Sequence, residues 1–212
     1  GIPDFKMEKH HIDARMRQMR EEGTRFRAGV HIGVDVTWEE LRTRYDAVVV
    51  ATGATVPRDI AIPGRDLGGV EFAMDYLVAS NKAVAGDDVP DQVTAAGKHV
   101  VVIGGGDTGA DCVGTAHRQG ALSVTNLAIG TQPAASRTDA QPWPTTPTIF
   151  EVQSAHEEGG ERVYLASTVE FLGDDQGRVR ALRVAETEYV DGRRVPKGGT
   201  EREIPADLVL IA

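Results

Sequence analysis

The chain has 212 residues, of which 41% are hydrophobic, with one cysteine and a formal net charge of −9. This is enough for a substantial core, in one large domain or in one domain with part of another. A single cysteine excludes an internal disulfide and any multi-cysteine metal or iron–sulfur site within the chain. The negative charge disfavours a sequence-independent nucleic-acid binder. No apolar run reaches about 18 residues and the N-terminus lacks a signal-peptide core, so we expect no membrane partner and a cytoplasmic location.

The first half of the chain predicts two helices and a buried strand. Apolar residues at positions 12, 16 and 19 predict an amphipathic helix over Glu8–Glu22. The segment "WEELRTR" predicts a short helix after Thr37, with Glu40 as its capping-box partner. Short strands are expected in "TRFRAG" and "GVDV", and the apolar run Ala47–Ala51 predicts a buried strand that ends at Thr52-Gly53.

The second half predicts an α/β unit with added β structure. A strand over 99–103, a helix over 107–119 and a strand over 122–128 follow one another, and "DLVLIA" predicts a last buried strand. Two β-rich stretches at 163–173 and 178–190 predict an antiparallel or crossover layer on this sheet. We therefore predict an α/β fold: a Rossmann-like NAD(P)-binding domain over 98–212, a partial FAD-binding domain over 1–55, and a connecting segment over 56–97.

The stretch "VVIGGGDTGADC" places three glycines directly after an apolar strand. Gly104, Gly106 and Gly109 fit the Gly-x-Gly-x-x-Gly fingerprint of dinucleotide binding, in the strand–turn–helix context that the fingerprint requires. In that motif the glycines allow a tight turn, the approach of a pyrophosphate, and close packing of helix on strand. The alternative is a glycine-rich turn of an ordinary βα unit.

The residues after the second strand bear on the choice of coenzyme. NAD-binding units usually carry an acid there that binds the ribose 2′-hydroxyl, but no acid occurs between Cys112 and Thr138. The first basic residue after the strand is Arg137, which is able to pair with a 2′-phosphate. NADPH is therefore favoured, NADH remains possible, and the alternative for Arg137 is a solvated loop cation.

These segments together carry a family resemblance. "GIPDFKMEK", "ATGA", "GGGDTGADCVGT", "RQGALSV", "QPWP" and "SAHEEGGER" resemble the small (β) subunit of bacterial NADPH-dependent glutamate synthase and related two-dinucleotide-binding flavin reductases. The resemblance implies that electrons pass from NADPH to FAD and through iron–sulfur clusters to a large, glutamate-forming partner subunit. The chain resembles the middle of such a subunit, and the family's cysteine clusters, FAD fingerprint and C-terminal FAD segment are absent from it.

The resemblance also implies roles for individual residues. The turn would line the NADPH pyrophosphate with Gly104, Gly105, Gly106, Asp107, Thr108 and Gly109. The strand end formed by Ala51, Thr52 and Gly53 would approach FAD, and Lys6 would lie near the flavin nucleotide. Because a carboxylate repels a pyrophosphate, we expect Asp107 to cap the helix or to accept a hydrogen bond from a backbone amide.

The remaining reactive side chains have structural interpretations. Cys112 is predicted to be a packed thiol on the fingerprint helix, and we expect no metal site. Hydride transfer needs little acid–base chemistry from the protein, so we name no catalytic side chain. Two alternatives stay open: a reductase subunit linked to pyrimidine or ferredoxin chemistry, and a non-catalytic dinucleotide-binding module.

Overall fold

The computed structural model describes residues 1–212 and divides them into two compact units. The smaller unit is Met7–Pro57, and the larger unit combines Gly1–Lys6 with Arg58–Ala212. The boundaries that we predict at residues 55 and 97 concern cofactor-binding domains and stay predictions.

The smaller unit contains both helices that the sequence predicts. Helix α1 spans Lys9–Glu21 and helix α2 spans Trp38–Arg44. The predicted capping box is present, because the Glu40 amide donates to the Thr37 hydroxyl at 3.1 Å and the Glu40 carboxylate accepts from the Thr37 amide at 2.8 Å. The Thr37 hydroxyl also donates to the Glu40 carboxylate at 2.9 Å, and the two hydrogen bonds from the Thr37 amide and hydroxyl stabilise the charged carboxylate and lower the pKa of Glu40.

The strands predicted in the smaller unit are wrong. "TRFRAG" and "GVDV" do not form strands. Val36 of "GVDV" makes one isolated bridge, to Ile32, and Ala47–Ala51 is irregular, with Val49 90% exposed. An apolar extended segment becomes a strand only when a neighbouring strand accepts its backbone hydrogen bonds. No strand within residues 7–57 offers such a partner.

The larger unit has a regular α/β element order. Its helices are α3 (Ala73–Val84), α4 (Asp107–Arg118) and α5 (Ser154–Glu157). Its strands are β1 (Val70–Phe72), β2 (His99–Ile103), β3 (Ser123–Leu127), β4 (Glu161–Val163), β5 (Ala166–Gly173), β6 (Val179–Val190), β7 (Arg193–Pro196), β8 (Arg202–Pro205) and β9 (Leu208–Ile211). The strands and helix predicted around the glycine turn are confirmed within one or two residues.

The central sheet has five parallel strands in the order β1-β9-β2-β3-β4. Four of them, β4-β3-β2-β9, follow the order of a doubly wound mononucleotide-binding unit, in which strand succession reverses between the first and fourth strands. Here that reversal lies between β2 and β9. Ligands of such sheets bind beyond the carboxyl ends of the strands at this point. The segment predicted as a connection adds β1 and α3 to the same unit.

The β-rich stretches form a second, antiparallel sheet, as predicted. Strand β6 pairs with β5, β7 and β8. The parallel strands alternate between two cores: Val101 and Val209 pack with this sheet's Phe171, whereas Val100 and Leu208 pack with α3 and α4. Both faces of the central sheet are therefore buried, which explains the continuous apolar runs in β2 and β9.

Candidate functional site

The glycine turn begins where β2 ends. The Gly104 amide donates to the Leu127 carbonyl at 2.9 Å, and Gly104 has a φ of +130°. A Cβ at this residue would lie 2.5 Å from the carbonyl oxygen of Ala212, which follows β9. Only glycine fits here, because both the backbone conformation and the neighbouring backbone exclude a side chain.

The other two fingerprint glycines have different surroundings. A Cβ at Gly109 would collide with the carbonyl oxygen of Gly104, so this glycine lets α4 pack closely on the turn. Gly106 is the N-cap of α4, with a φ of −87°, and a Cβ there would meet no atom within 4 Å. The space beside Gly106 is therefore open, as the approach of a pyrophosphate requires.

The N-terminus of α4 presents unpaired backbone donors beside this space. The first helical hydrogen bond runs from the Ala110 amide to the Gly106 carbonyl, and no side chain caps the helix. The amides of Asp107, Thr108 and Gly109 precede that bond and carry the positive end of the helix dipole. The glycine turn and these three amides together fit the pyrophosphate of a dinucleotide.

Asn126 hydrogen-bonds the backbone of the glycine turn, a role that the sequence analysis does not predict. This residue of β3 is 3% exposed, and its Nδ2 donates to the carbonyl oxygens of Gly104 at 2.7 Å and Val102 at 3.2 Å. A buried side-chain amide needs hydrogen-bond partners. The lone asparagine in "SVTNL" was the available signal.

Asp107 and Lys6 belong to one hydrogen-bonded chain. Gln153 Nε2 donates to the Asp107 carboxylate at 2.6 Å, and Lys6 Nζ donates to Gln153 Oε1 at 3.1 Å. Lys6 also pairs with Asp111 of α4 at 2.7 Å. The capping role expected for Asp107 is wrong, because the Gln153 amide takes its carboxylate instead. The predicted contact of Lys6 with a flavin nucleotide stays a prediction.

A cleft of about 570 Å³ opens at the carboxyl ends of β2, β3 and β9. We call it the strand-end cleft. Its walls include Gly104 and Gly105 of the turn. A Cβ at Gly105 would lie 3.2 Å from Cβ of Ala128, so Gly105 is closely packed. The remaining lining residues are Arg58, Asp59, Ile60, Ile62, Ile103, Leu127, Ala128, Ile129, Gly130, Ala166, Ser167, Thr168, Arg194, Pro196, Ile211 and Ala212.

Arg137 does not line the strand-end cleft. It lies in the loop between β3 and α5, where its Nη1 donates to the carbonyl oxygens of Gln141 and Thr145, both at 2.7 Å. In this structure the guanidinium ties its own loop together. A role at the 2′-phosphate stays a prediction for Arg137.

In the smaller unit, Ala51 and Thr52 line a separate cleft of about 840 Å³. Trp38 and Leu41 of α2 form part of its wall, together with Val48. Gly53 follows with a φ of +67°, a backbone conformation that favours glycine. The apolar lining is compatible with a flat cofactor, and the predicted FAD contact stays a prediction.

Cys112 is the packed thiol that the sequence predicts. It is fully buried in the core between α4 and the sheet, and burial raises the pKa of its thiol. A buried neutral thiol is a poor nucleophile.

The structure brings together no group of three or more His, Cys, Asp or Glu side chains able to hold a metal ion. No helix combines the length and hydropathy that crossing a bilayer would require.

The parallel strand order, the glycine turn and the open helix N-terminus define a dinucleotide-binding protein. Residues 7–212 match the pyridine nucleotide-disulphide oxidoreductase family, and the chain belongs to that family.

Individual relatives of the chain carry narrower names than the family does. The chain is 54% identical to a glutamate synthase [NADPH] small chain of Mycobacterium tuberculosis, covering all of this chain and 44% of the relative. It is also 40% identical to a glutamate synthase [NADH] of Schizosaccharomyces pombe, covering 11% of that longer protein. The chain thus spans less than half the length of the curated relatives in question.

Among solved structures, Mycobacterium tuberculosis FprA in complex with NADPH shares the fold. The TM-score is 0.68 at 22% identity, and the match covers all of this chain and 60% of FprA. The predicted α/β class with a Rossmann-like unit is confirmed.

Proposed function

We propose that this chain is the central, NADPH-binding part of a glutamate synthase small chain. In the whole protein it would take reducing equivalents from NADPH to FAD. Iron–sulfur clusters held outside this segment would then carry electrons to a large, glutamate-forming subunit in the cytoplasm. The identity of 54% over the full chain to a small chain of that name supports this assignment.

The single observation that carries nucleotide binding is the open space at Gly106 beside the N-terminal amides of α4. Gly104 and Gly109 are required by packing within the protein, but no protein atom lies within 4 Å of a Gly106 Cβ. A packing role therefore does not explain Gly106. A pyrophosphate that approaches the backbone at this point does explain it.

When bound, a pyridine nucleotide supplies a hydride for the flavin. The residues of this chain supply binding and orientation. The amides of residues 107–109 would donate to the phosphates, and Asn126 fixes the carbonyl of Gly104 so that the turn keeps its shape. The Asp107 carboxylate is held by Gln153 rather than by a helix-capping bond.

The test is the binding of NADPH to the purified chain, measured by isothermal titration calorimetry, for the wild type and for Gly106→Val. The backbone at Gly106 is extended and the space is open, so valine fits the protein but fills the approach of the pyrophosphate. We expect loss of NADPH binding in a folded protein, with a melting temperature lowered only by the loss of the glycine N-cap, which costs about 1 kcal/mol.

Gly198→Val is the matched control. Gly198 is exposed, a Cβ there also meets no atom within 4 Å, and it lies between β7 and β8, outside the glycine turn and α4. This variant should bind NADPH like the wild type. Retention of NADPH by Gly106→Val, or failure of the folded wild type to bind either pyridine nucleotide, would refute the proposal.

A further inference from the structure

The end of β3 lacks the acid that NAD-dependent units use. The residues that follow the strand are Ala128, Ile129 and Gly130, and no Asp or Glu occurs between Cys112 and Thr138. In doubly wound units the ribose of the adenosine half lies at this strand end, bound by an acid through its 2′-hydroxyl or by an arginine through a 2′-phosphate. No acid that follows β3 is therefore available to bind the ribose 2′-hydroxyl.

The antiparallel sheet brings an arginine to this position. A Cβ at Gly130 would lie 3.7 Å from Nη2 and 3.9 Å from Cζ of Arg194, which belongs to β7. Arg194 lines the strand-end cleft together with Gly104 and Gly105. Two glycines of the turn and a guanidinium thus line one cleft.

Backbone hydrogen bonds fix this arrangement. The Ala166 amide donates to the Ala128 carbonyl at 3.1 Å, and the Leu165 amide donates to the Gly130 carbonyl at 2.9 Å. Strand β5 is therefore fastened to the extension of β3, and β6 connects β5 with β7. The guanidinium of Arg194 reaches the strand end as part of a hydrogen-bonded framework.

The guanidinium of Arg194 is oriented but not neutralised. Its Nε donates to the Tyr189 hydroxyl at 3.2 Å, and no carboxylate lies within 4.0 Å of it. Neither terminal nitrogen hydrogen-bonds another residue, whereas Nη1 of Arg137 already serves two carbonyls of its own loop. Arg194 thus offers the donors that a dianionic phosphate accepts in a bidentate pair.

We infer that Arg194 binds the 2′-phosphate of NADPH and makes this chain prefer NADPH over NADH. The inference rests on the proposed binding of a pyridine nucleotide in the strand-end cleft. It assigns coenzyme choice to the inserted antiparallel sheet rather than to the loop that follows β3. It gives Arg194 the role that the sequence predicts for Arg137.

The test compares Arg194→Ala with Arg193→Ala by calorimetric titration of NADPH and NADH. Arg193 is the neighbour on β7, exposed and on the opposite face of the strand, and its replacement removes the same charge. We expect Arg194→Ala to weaken NADPH binding by about 10- to 100-fold, the range for hydrogen bonds to a charged group. NADH binding should be unchanged, and Arg193→Ala should match the wild type for both coenzymes.

Fragments of the two coenzymes provide a second test of the 2′-phosphate contact. Adenosine 2′,5′-bisphosphate carries the 2′-phosphate and 5′-AMP lacks it, so Arg194→Ala should weaken only the first. Equal loss of NADPH and NADH, no loss, or a loss confined to Arg137→Ala would overturn the role of Arg194 while leaving nucleotide binding intact. Failure of the folded wild type to bind either coenzyme would instead refute the proposed function, and with it this inference.

Discussion

The side-chain amide of Asn126 donates to the carbonyl oxygen of Gly104 at 2.7 Å. A residue inside the second strand of the unit thereby holds the first glycine of the turn at the end of the neighbouring strand. The bond is partly buried, and the same Nδ2 also donates to the Val102 carbonyl in a buried hydrogen bond at 3.2 Å. Asn126 therefore links the stability of the sheet to the geometry of the candidate nucleotide site.

Replacing Asn126 should affect both properties. Asn126→Ala removes the donor to two carbonyls, and we expect it to lower the free energy of unfolding by about 1–3 kcal/mol. Asn126→Asp keeps the size but points an acceptor at those carbonyls, so it should cost more. Urea denaturation measures the stability and titration with NADPH measures the site. Thr125→Val is the control, because Thr125 is a buried neighbour whose hydroxyl makes no side-chain hydrogen bond. An Asp variant as stable as the wild type would contradict this role.

Gly109 should be required for folding rather than for nucleotide contact. A Cβ at this residue would collide with the Gly104 backbone oxygen, which cannot move aside like a flexible side chain. We expect Gly109→Ala to destabilise the chain by about 1–3 kcal/mol, the range for overpacking, although alanine is the better helix former. Gly106→Ala has open space and should lower the melting temperature less, because it loses only the preference for glycine at the N-cap of α4. Equal melting temperatures for the two variants would show that the turn can relax.

His156 should make stability depend on pH. Burial, helped by the charges of Arg162, Lys6 and His117, lowers the pKa of His156 from its ordinary value of 6.5, and both ring nitrogens are buried without a partner. The unfolded chain therefore binds this proton more readily than the folded chain. The contribution of the neutral ring is complete above about pH 6.5 and is lost as the pH falls through the lowered folded pKa.

Unfolding free energies at pH 7.5 and pH 5.5 check this expectation. The loss of stability on acidification should be smaller for His156→Gln than for the wild type. His11→Gln, on the exposed surface of α1, is the control and should leave the loss unchanged. If the His156 variant loses as much stability as the wild type, another group causes the pH dependence.

The chain by itself should not oxidise NADPH. It contains one Gly-x-Gly-x-x-Gly turn, which the proposed function assigns to NADPH, and neither the Ala51–Gly53 segment nor Lys6 supplies a second turn of this kind for the FAD phosphates. Hydride transfer requires the flavin ring about 3–3.5 Å from the nicotinamide. We expect a colourless preparation with no dye reduction after addition of FAD and NADPH. A flavin absorbance band in the purified chain would show a more complete FAD site.

The sequence alone determined the elements around the glycine turn and both helices of the smaller unit. Their signals are local: the spacing of glycines after an apolar run, and the capping box at Thr37 and Glu40, act over three or four residues. The same locality explains the failure at Ala47–Ala51. That run has the composition of a buried strand, but a strand also needs a partner, which composition does not supply.

Only the tertiary structure decided which residues meet at the strand ends. Arg194 and Gly130 are far apart in the chain, and they approach because the antiparallel sheet is hydrogen-bonded to the extension of β3. The sequence pointed instead to Arg137, the first cation after that strand, whose guanidinium binds its own loop. Likewise, Asp107 meets Gln153 rather than a helix-capping amide. Long-range pairing of strands, not proximity along the chain, determines these contacts.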